Sequence, residues 1–294
     1  MSASIVAVGA GRMGRGIAMA YAIRGQRVTV VDFKPREASQ FQALHHDIDQ
    51  ELNTALRQLA DLDLFEAAQI DVIRQRIQVV DLAHAGQALE TAGIIYEGVP
   101  ETLDAKRDAL NPAYVIPLVE ISAHDQTSPQ ALAALKESLT GIGKVPVQCA
   151  CSPGFIVPRL QTLIMNEAAR MVEEGVATVE EIDRATRYGL GFRFASIGVL
   201  EFIDYGGNDI LYHASHYLSD NLDSTRYAAP DIIKRYMHEG KIGLRSASGF
   251  LSYEGVDLHA YRRDVLARTL GMLRHCGLDQ SIPSTTVKEI SDEN

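Results

Sequence analysis

The stretch "SIVAVGAGRMGRGIAMAYAIRG" (residues 4–25) leaves few folds open. A short apolar run, a turn containing Gly9, Gly11 and Gly14, and an apolar helix follow one another without a spacer. In a G-x-G-x-x-G turn the first glycine makes the bend, the second lets a ligand approach the backbone, and the third lets the helix close on the strand. Gly25 is placed to cap the helix, and "QRVTVVD" supplies a second buried strand. Strands joined in this βαβ manner lie parallel and need helices over both faces. The expected fold class is therefore α/β, a Rossmann-type doubly wound sheet.

The turn also defines a ligand. The start of the helix carries unpaired N–H groups and partial positive charge, which suit a pyrophosphate. Arg12 and Met13 lie between the second and third glycines and belong to the same cofactor-binding turn. Asp32 ends the second strand, where a carboxylate accepts hydrogen bonds from ribose hydroxyls and repels a 2′-phosphate. The cofactor expected is NAD rather than NADP.

Residues 37–76 read as a helical insertion, because Phe41, Leu44, Ile48, Leu52, Leu56 and Leu59 recur every three to four positions and form one apolar stripe. "IQVV" (77–80), "GIIYEGVP" (93–100), "LVEIS" (118–122) and "VPVQCA" (145–150) read as strands, and "ETLDAKRDAL" as the start of a helix. Ser128 and Pro129 open a well-marked helix. From "SPGF" (152–155) onward strand signals fade, and helices follow, one of them with Thr178 and Glu181 spaced as a capping box. Two domains are expected: residues 1–151 as the nucleotide-binding domain, and 152–294 as an all-α domain.

Charge and composition exclude several classes. A net charge of −10 argues against a nucleic-acid partner and against docking on anionic membranes. No run of 18 apolar residues is present to span a bilayer, and the N-terminus enters the glycine turn without a basic leader. Cys149, Cys151 and Cys276 are too few and too scattered for a disulfide framework, which fits a cytoplasmic location. Cys149 and Cys151 stand at strand spacing and are expected to be buried on one face.

Four further motifs, in order along the chain, resemble the 3-hydroxyacyl-CoA dehydrogenase family. They are "YEGVPETLDAK" (96–106), "NPAYVIPLVEIS" (111–122), "SPGFIV" with "NEAARMVEEGVATVEEIDRAT" (166–186), and "GKIGLRSASGFLSYEG" (240–255). The resemblance implies hydride transfer between NAD and the 3-hydroxyl of an acyl-CoA or related hydroxy acid. It places Glu101 and Lys106 on the nicotinamide nucleotide. It makes Glu120 the carboxylate that supports a catalytic histidine, with Asn111 beside it. It also implies a homodimer through the helical domain, for which Leu160, Leu163, Ile164, Met171 and Val172 are the apolar candidates.

The chain departs from that pattern at three places. The family's histidine stands three residues before its Asn-Pro, and here that position is Asp108. Judged by the family, about thirty residues, including central strands of a doubly wound sheet, are missing between Leu110 and Asn111. Three accounts are open: the natural protein carries a segment these 294 residues lack, the deletion is real, or His124 has taken over as base. Pro158 replaces a family asparagine, whose place Asn166 is the nearest candidate to fill. Lastly, residues 37–66 hold Arg57 as their only lysine or arginine, beside Asp47, Asp49, Glu51, Asp61 and Asp63. Such a surface attracts the phosphates of CoA poorly, which favours a smaller 3-hydroxy acid such as gulonate or carnitine.

Overall fold

The computed structural model describes residues 4–97 and 113–278. They form two compact units, one up to Leu163 and the other from Ile164. The first unit is a parallel α/β layer structure. Strands β1 (Ile5–Val8), β2 (Val28–Val31), β3 (Ile77–Val80) and β4 (Ile94–Glu97) pair in the order β3-β2-β1-β4. All three ladders are parallel, and the register sets Val8 opposite both Val31 and Glu97. The strands therefore finish level, and the residues after them, Gly9 and Asp32, emerge at one edge of the sheet.

Helix α1 (Arg12–Ile23) buries Ala18, Met19, Tyr21 and Ala22 against this sheet. The predicted insertion is a helical hairpin, α2 (Ala38–Asp61) followed by α3 (Ile70–Arg74). Its stripe packs as the spacing requires: Ile48, Leu52 and Leu56 are fully buried, with Phe41, Leu44 and Leu59 at their flanks. Each such aliphatic side chain contributes about 1.5–3 kcal/mol by leaving water. Helix α4 (Ala85–Glu90) covers the other face of the sheet through Ala85, beside Val6 and Val31.

Strands β5 (Leu118–Ser122) and β6 (Val145–Cys149) pair in parallel as a separate two-stranded sheet, joined by α5 (Pro129–Gly141). Ser128 caps α5 as expected, its Oγ accepting the Ala131 amide at 3.1 Å. Among the described residues β4 pairs with β1 alone, and its Ile95 is 52% exposed. Among the described residues, therefore, no strand pairing joins the sheet of β1 to β4 with that of β5 and β6.

Polar and close contacts hold the small sheet to the large one. The Tyr21 hydroxyl on α1 bonds to that of Tyr96 on β4 and, at 3.0 Å, to Ser138 on α5. Burial and the Tyr21 hydroxyl push the Tyr96 phenol well above its ordinary range. A Cβ built on Gly16 of α1 would sit 3.2 Å from that of Ala113. Lys144, buried at the head of β6, donates to the carbonyls of Ala113 and Ile116 at 2.5 and 2.7 Å.

The division into compact units falls at Leu163, eleven residues beyond Ser152, and the chain after Ser152 is bonded to β5 through the amides of Ile156 and Val157. One expectation needs correction. Cys149 is half-buried and Cys151 exposed, since β6 ends at Cys149 and Cys151 no longer shares its alternation.

The second unit is helical. After α6 (Val157–Glu173), which starts in the first unit, come α7 (Val179–Ala185), α8 (Phe192–Ser196), α9 (Val199–Gly206), α10 (Asn208–Asn221), α11 (Ser224–Tyr227), α12 (Asp231–His238) and α13 (Leu258–His275). Thr178 caps α7 by accepting the Glu181 amide at 3.3 Å. Asp204, 1% exposed, accepts the amides of Phe250 and Leu251 at 2.9 and 2.7 Å and the Tyr253 hydroxyl at 3.3 Å. It anchors the loop spelled "GKIGLRSASGFLSYEG". Arg226 spans Glu167 and Glu174, and Tyr227 donates to Glu167.

Candidate functional site

The glycine turn has the geometry its spacing predicts. Gly9 adopts φ 109°, which an L side chain resists, and its amide donates to Val31 O at 2.8 Å, so the turn is fastened to the end of β2. A Cβ on Gly14 would lie 2.0 Å from Gly9 O, and only hydrogen fits there. Gly11 differs, being in extended backbone with nothing within 4 Å of a Cβ built on it. The space over Gly11 is where a pyrophosphate would lie, against the first turn of α1. Arg12 and Met13, in that first turn, are exposed.

Asp32 is 3% exposed, and its carboxylate accepts Arg36 Nε at 2.5 Å. Its amide donates to Val80 O at 2.8 Å, which fixes the carboxylate at the sheet edge next to the glycine turn. Sequence reading missed Arg36. The two stand four residues apart, but in a loop that spacing carries no helical meaning. These residues fit an NAD adenosine and pyrophosphate: a cradle open at Gly11, a packed Gly14, and a buried carboxylate one strand away. NAD supplies a nicotinamide that takes up or gives hydride.

Glu120 is the third residue of β5 and half-buried. Its Oε1 accepts the amides of Ile156 and Val157 at 3.0 and 2.9 Å, at the point where α6 begins. A carboxylate in the middle of an apolar strand is thus satisfied by the positive end of a helix. His124 is placed differently: its Nδ1 receives the Gln126 amide at 3.1 Å and its own amide donates to Thr127 Oγ1, within the turn leading to α5. Glu101, Lys106 and Asn111 lie outside the described residues. Among the described residues no cluster of His, Cys, Asp and Glu is placed to hold a metal ion, and no helix is long and apolar enough to cross a membrane.

Comparison with known proteins identifies the family and the fold. The family model "3-hydroxyacyl-CoA dehydrogenase, NAD binding domain" matches residues 4–110 and 109–152, two pieces that meet at the junction noted above. The model "3-hydroxyacyl-CoA dehydrogenase, C-terminal domain" matches residues 154–253. The 3-hydroxybutyryl-CoA dehydrogenase of Mycobacterium tuberculosis is 30% identical, over 84% of this chain and 96% of its own. The 5-formyl-3-hydroxy-2-methylpyridine 4-carboxylate 5-dehydrogenase of Mesorhizobium japonicum is 25% identical over 296 positions, which take in 86% of this chain and 91% of its own. Because those positions outnumber the residues matched here, part of that relative has no counterpart in this chain. The crystal structure of a 3-hydroxyacyl-CoA dehydrogenase from Archaeoglobus fulgidus, 23% identical, superposes with a TM-score of 0.63 over 95% of this chain and 100% of its own, a likeness of fold. By sequence, by its Rossmann-type sheet and by its NAD-fitting glycine turn, the chain belongs to the 3-hydroxyacyl-CoA dehydrogenase family of NAD-dependent oxidoreductases.

Proposed function

We propose that this protein oxidises an L-3-hydroxy group to the 3-keto form, passing hydride to NAD. The observation that carries the reading is the pairing of a cradle open at Gly11 with Glu120, whose carboxylate is held in place by two amides at the start of α6. With Oε1 so engaged, supporting an imidazole falls to Oε2. Asn111 stands beside that chemistry, and Glu101 and Lys106 are assigned to the nicotinamide nucleotide, all three by family resemblance.

Two substrate classes compete within this reading: 3-hydroxyacyl-CoA esters, as the name of the Mycobacterium relative indicates, and free hydroxy acids, as indicated by the name of an L-carnitine dehydrogenase from Streptomyces coelicolor that is 30% identical over 78% of this chain. The acidic α2 favours the second. NADH formation on 3-hydroxybutyryl-CoA, compared with free 3-hydroxybutyrate and carnitine, decides between them.

A second reading has an observation of its own. The match to the NAD-binding model is in two pieces, the place of the family's histidine is taken by Asp108, and the His124 ring is engaged in a turn, so neither position offers Glu120 an imidazole to support. A chain of that composition binds NADH and turns over nothing. Intact mass separates the readings: 32.2 kDa leaves the base missing, and a few kDa more means an internal segment that carries it.

A homodimer is part of the proposal. Helix α6 buries none of its residues, and Leu160, Leu163, Ile164 and Val172 are 45%, 66%, 44% and 42% exposed. An apolar face of that extent seeks a partner, and a second copy is the simplest one. Light scattering on the eluting protein tests it, and a pure monomer would count against it. The exposed thiols of Cys151 and Cys276 accord with a reducing, cytoplasmic setting.

A further inference from the structure

We infer that Arg15 is a positioning residue that locks the orientation of the Ala10–Gly11 peptide, and that Glu51 on α2 holds Arg15 to this task. The inference rests on the NAD reading and assigns roles to two residues outside the glycine motif.

Arg15 follows Gly14 in the first turns of α1, and its side chain is 15% exposed. Helical side chains lean toward the N-terminus, which brings Arg15 Nε back to the carbonyl of Ala10 at 2.8 Å. Ala10 lies between Gly9 and Gly11, inside the motif. A trans peptide is planar, with its C=O and N–H on opposite sides. Holding Ala10 O toward Arg15 therefore directs the Gly11 N–H the other way. Flanking glycines leave this peptide plane the freest in the turn. If it turned over, a carbonyl would face the place meant for phosphate oxygens, and attraction would become repulsion.

Glu51 completes the device. A cation in the first turns of a helix opposes the helix dipole, so Arg15 is poorly placed on electrostatic grounds alone. Its Nη1 is paired with the Glu51 carboxylate, thirty-six residues away on α2. The pair cancels the charge and leaves the guanidinium one clear direction in which to present Nε. Glu51 is 47% exposed, so the ion pair adds little to stability. Its effect falls on where Arg15 points.

The test is titration of NADH and of ADP-ribose, which needs no catalytic base. Arg15→Met should weaken ADP-ribose binding by about tenfold, the effect of one lost charge-assisted hydrogen bond. Arg15→Lys, which can still reach a carbonyl, should recover most of it. Glu51→Gln should weaken binding by about threefold, and the double variant should be no weaker than Arg15→Met alone, since both act through one contact. Thermal melts run alongside show whether a variant has lost its fold. Glu51→Gln, altering an exposed carboxylate, keeps the test open if Arg15→Met does not fold. Were Arg15 a direct phosphate ligand, Glu51→Gln would free it and tighten binding, and that result overturns the inference. Unchanged affinity in a folded Arg15→Met overturns it equally. Failure of the unaltered protein to bind NADH overturns the cofactor reading and this inference together.

Discussion

The Oε1 atom of Glu120, on β5, lies 2.9 Å from the amide of Val157, the first residue of α6. One side chain thereby joins the small sheet to the start of the helix that leads onward in the chain. Glu120→Gln keeps a neutral acceptor and should cost about 1 kcal/mol, whereas Glu120→Ala strands both amides and should cost about 1–3 kcal/mol. Urea unfolding measures both. Equal effects would mean that the bond to the helix start does not matter.

The glycines of the turn should separate folding from binding. Gly14→Ala drives a methyl group into Gly9 O and should destabilise the fold by about 1–3 kcal/mol. Gly11→Ala, in extended backbone with open space around it, should change stability by no more than about 0.5 kcal/mol. It should still weaken NADH binding by at least about tenfold. Chemical denaturation and fluorescence titration of each variant give the two readings.

Asp32, and Arg36 which it holds, are proposed to set the preference between the two dinucleotides. Asp32→Ala removes the carboxylate that repels a 2′-phosphate and releases the Arg36 guanidinium that it now holds. The ratio of NADPH to NADH affinity should rise by about tenfold or more. A ratio that stays put would show that Arg36 does not reach the ribose.

In the second unit Asp204 is the anchor to challenge. A Cβ on Gly249 would lie 2.0 Å from Asp204 Oδ1, so Gly249→Ala should displace the carboxylate from the amides of Phe250 and Leu251. A loss of about 3 kcal/mol is expected from stranding those donors. The Tyr253 phenol, pushed up to about 12 by burial and by Asp204, should titrate lower in Asp204→Asn. Ultraviolet difference titration reads that change.

The pairing of Glu167 with Arg226 and Tyr227 should appear in acid. Both partners hold the Glu167 carboxyl below its ordinary 4.5. A carboxylate whose folded value is depressed adds stability in full above its unfolded value, and that stability is lost as pH falls through the folded one. Unfolding measured from about pH 6 down to about pH 3 should show a wild-type advantage over Glu167→Gln that shrinks steadily. An advantage that grew toward acid would contradict the assignment.

Local patterns foretold much of this molecule. The stripe of Ile48, Leu52 and Leu56, the caps at Ser128 and Thr178, and strand β3 (Ile77–Val80) appear where the spacing put them. Each depends on neighbours within one or two turns of chain, and that is the range over which side-chain periodicity carries information. The exposure of Cys151 escaped for the converse reason. Alternation predicts a face only while the strand lasts, and β6 stops at Cys149.

What the amino-acid order alone determined was the glycine turn, the acidic residue after β2, the α/β class and the family. Only the tertiary structure decided that Glu120 meets the start of α6, that Arg36 already occupies Asp32, that Arg15 reaches back to Ala10 under the hold of Glu51, and that the first unit runs to Leu163. The reason lies in which free energies are local. A turn conformation or a helix stripe is settled by adjacent residues, whereas a buried carboxylate or an arginine takes whichever partner packing delivers from elsewhere along the chain.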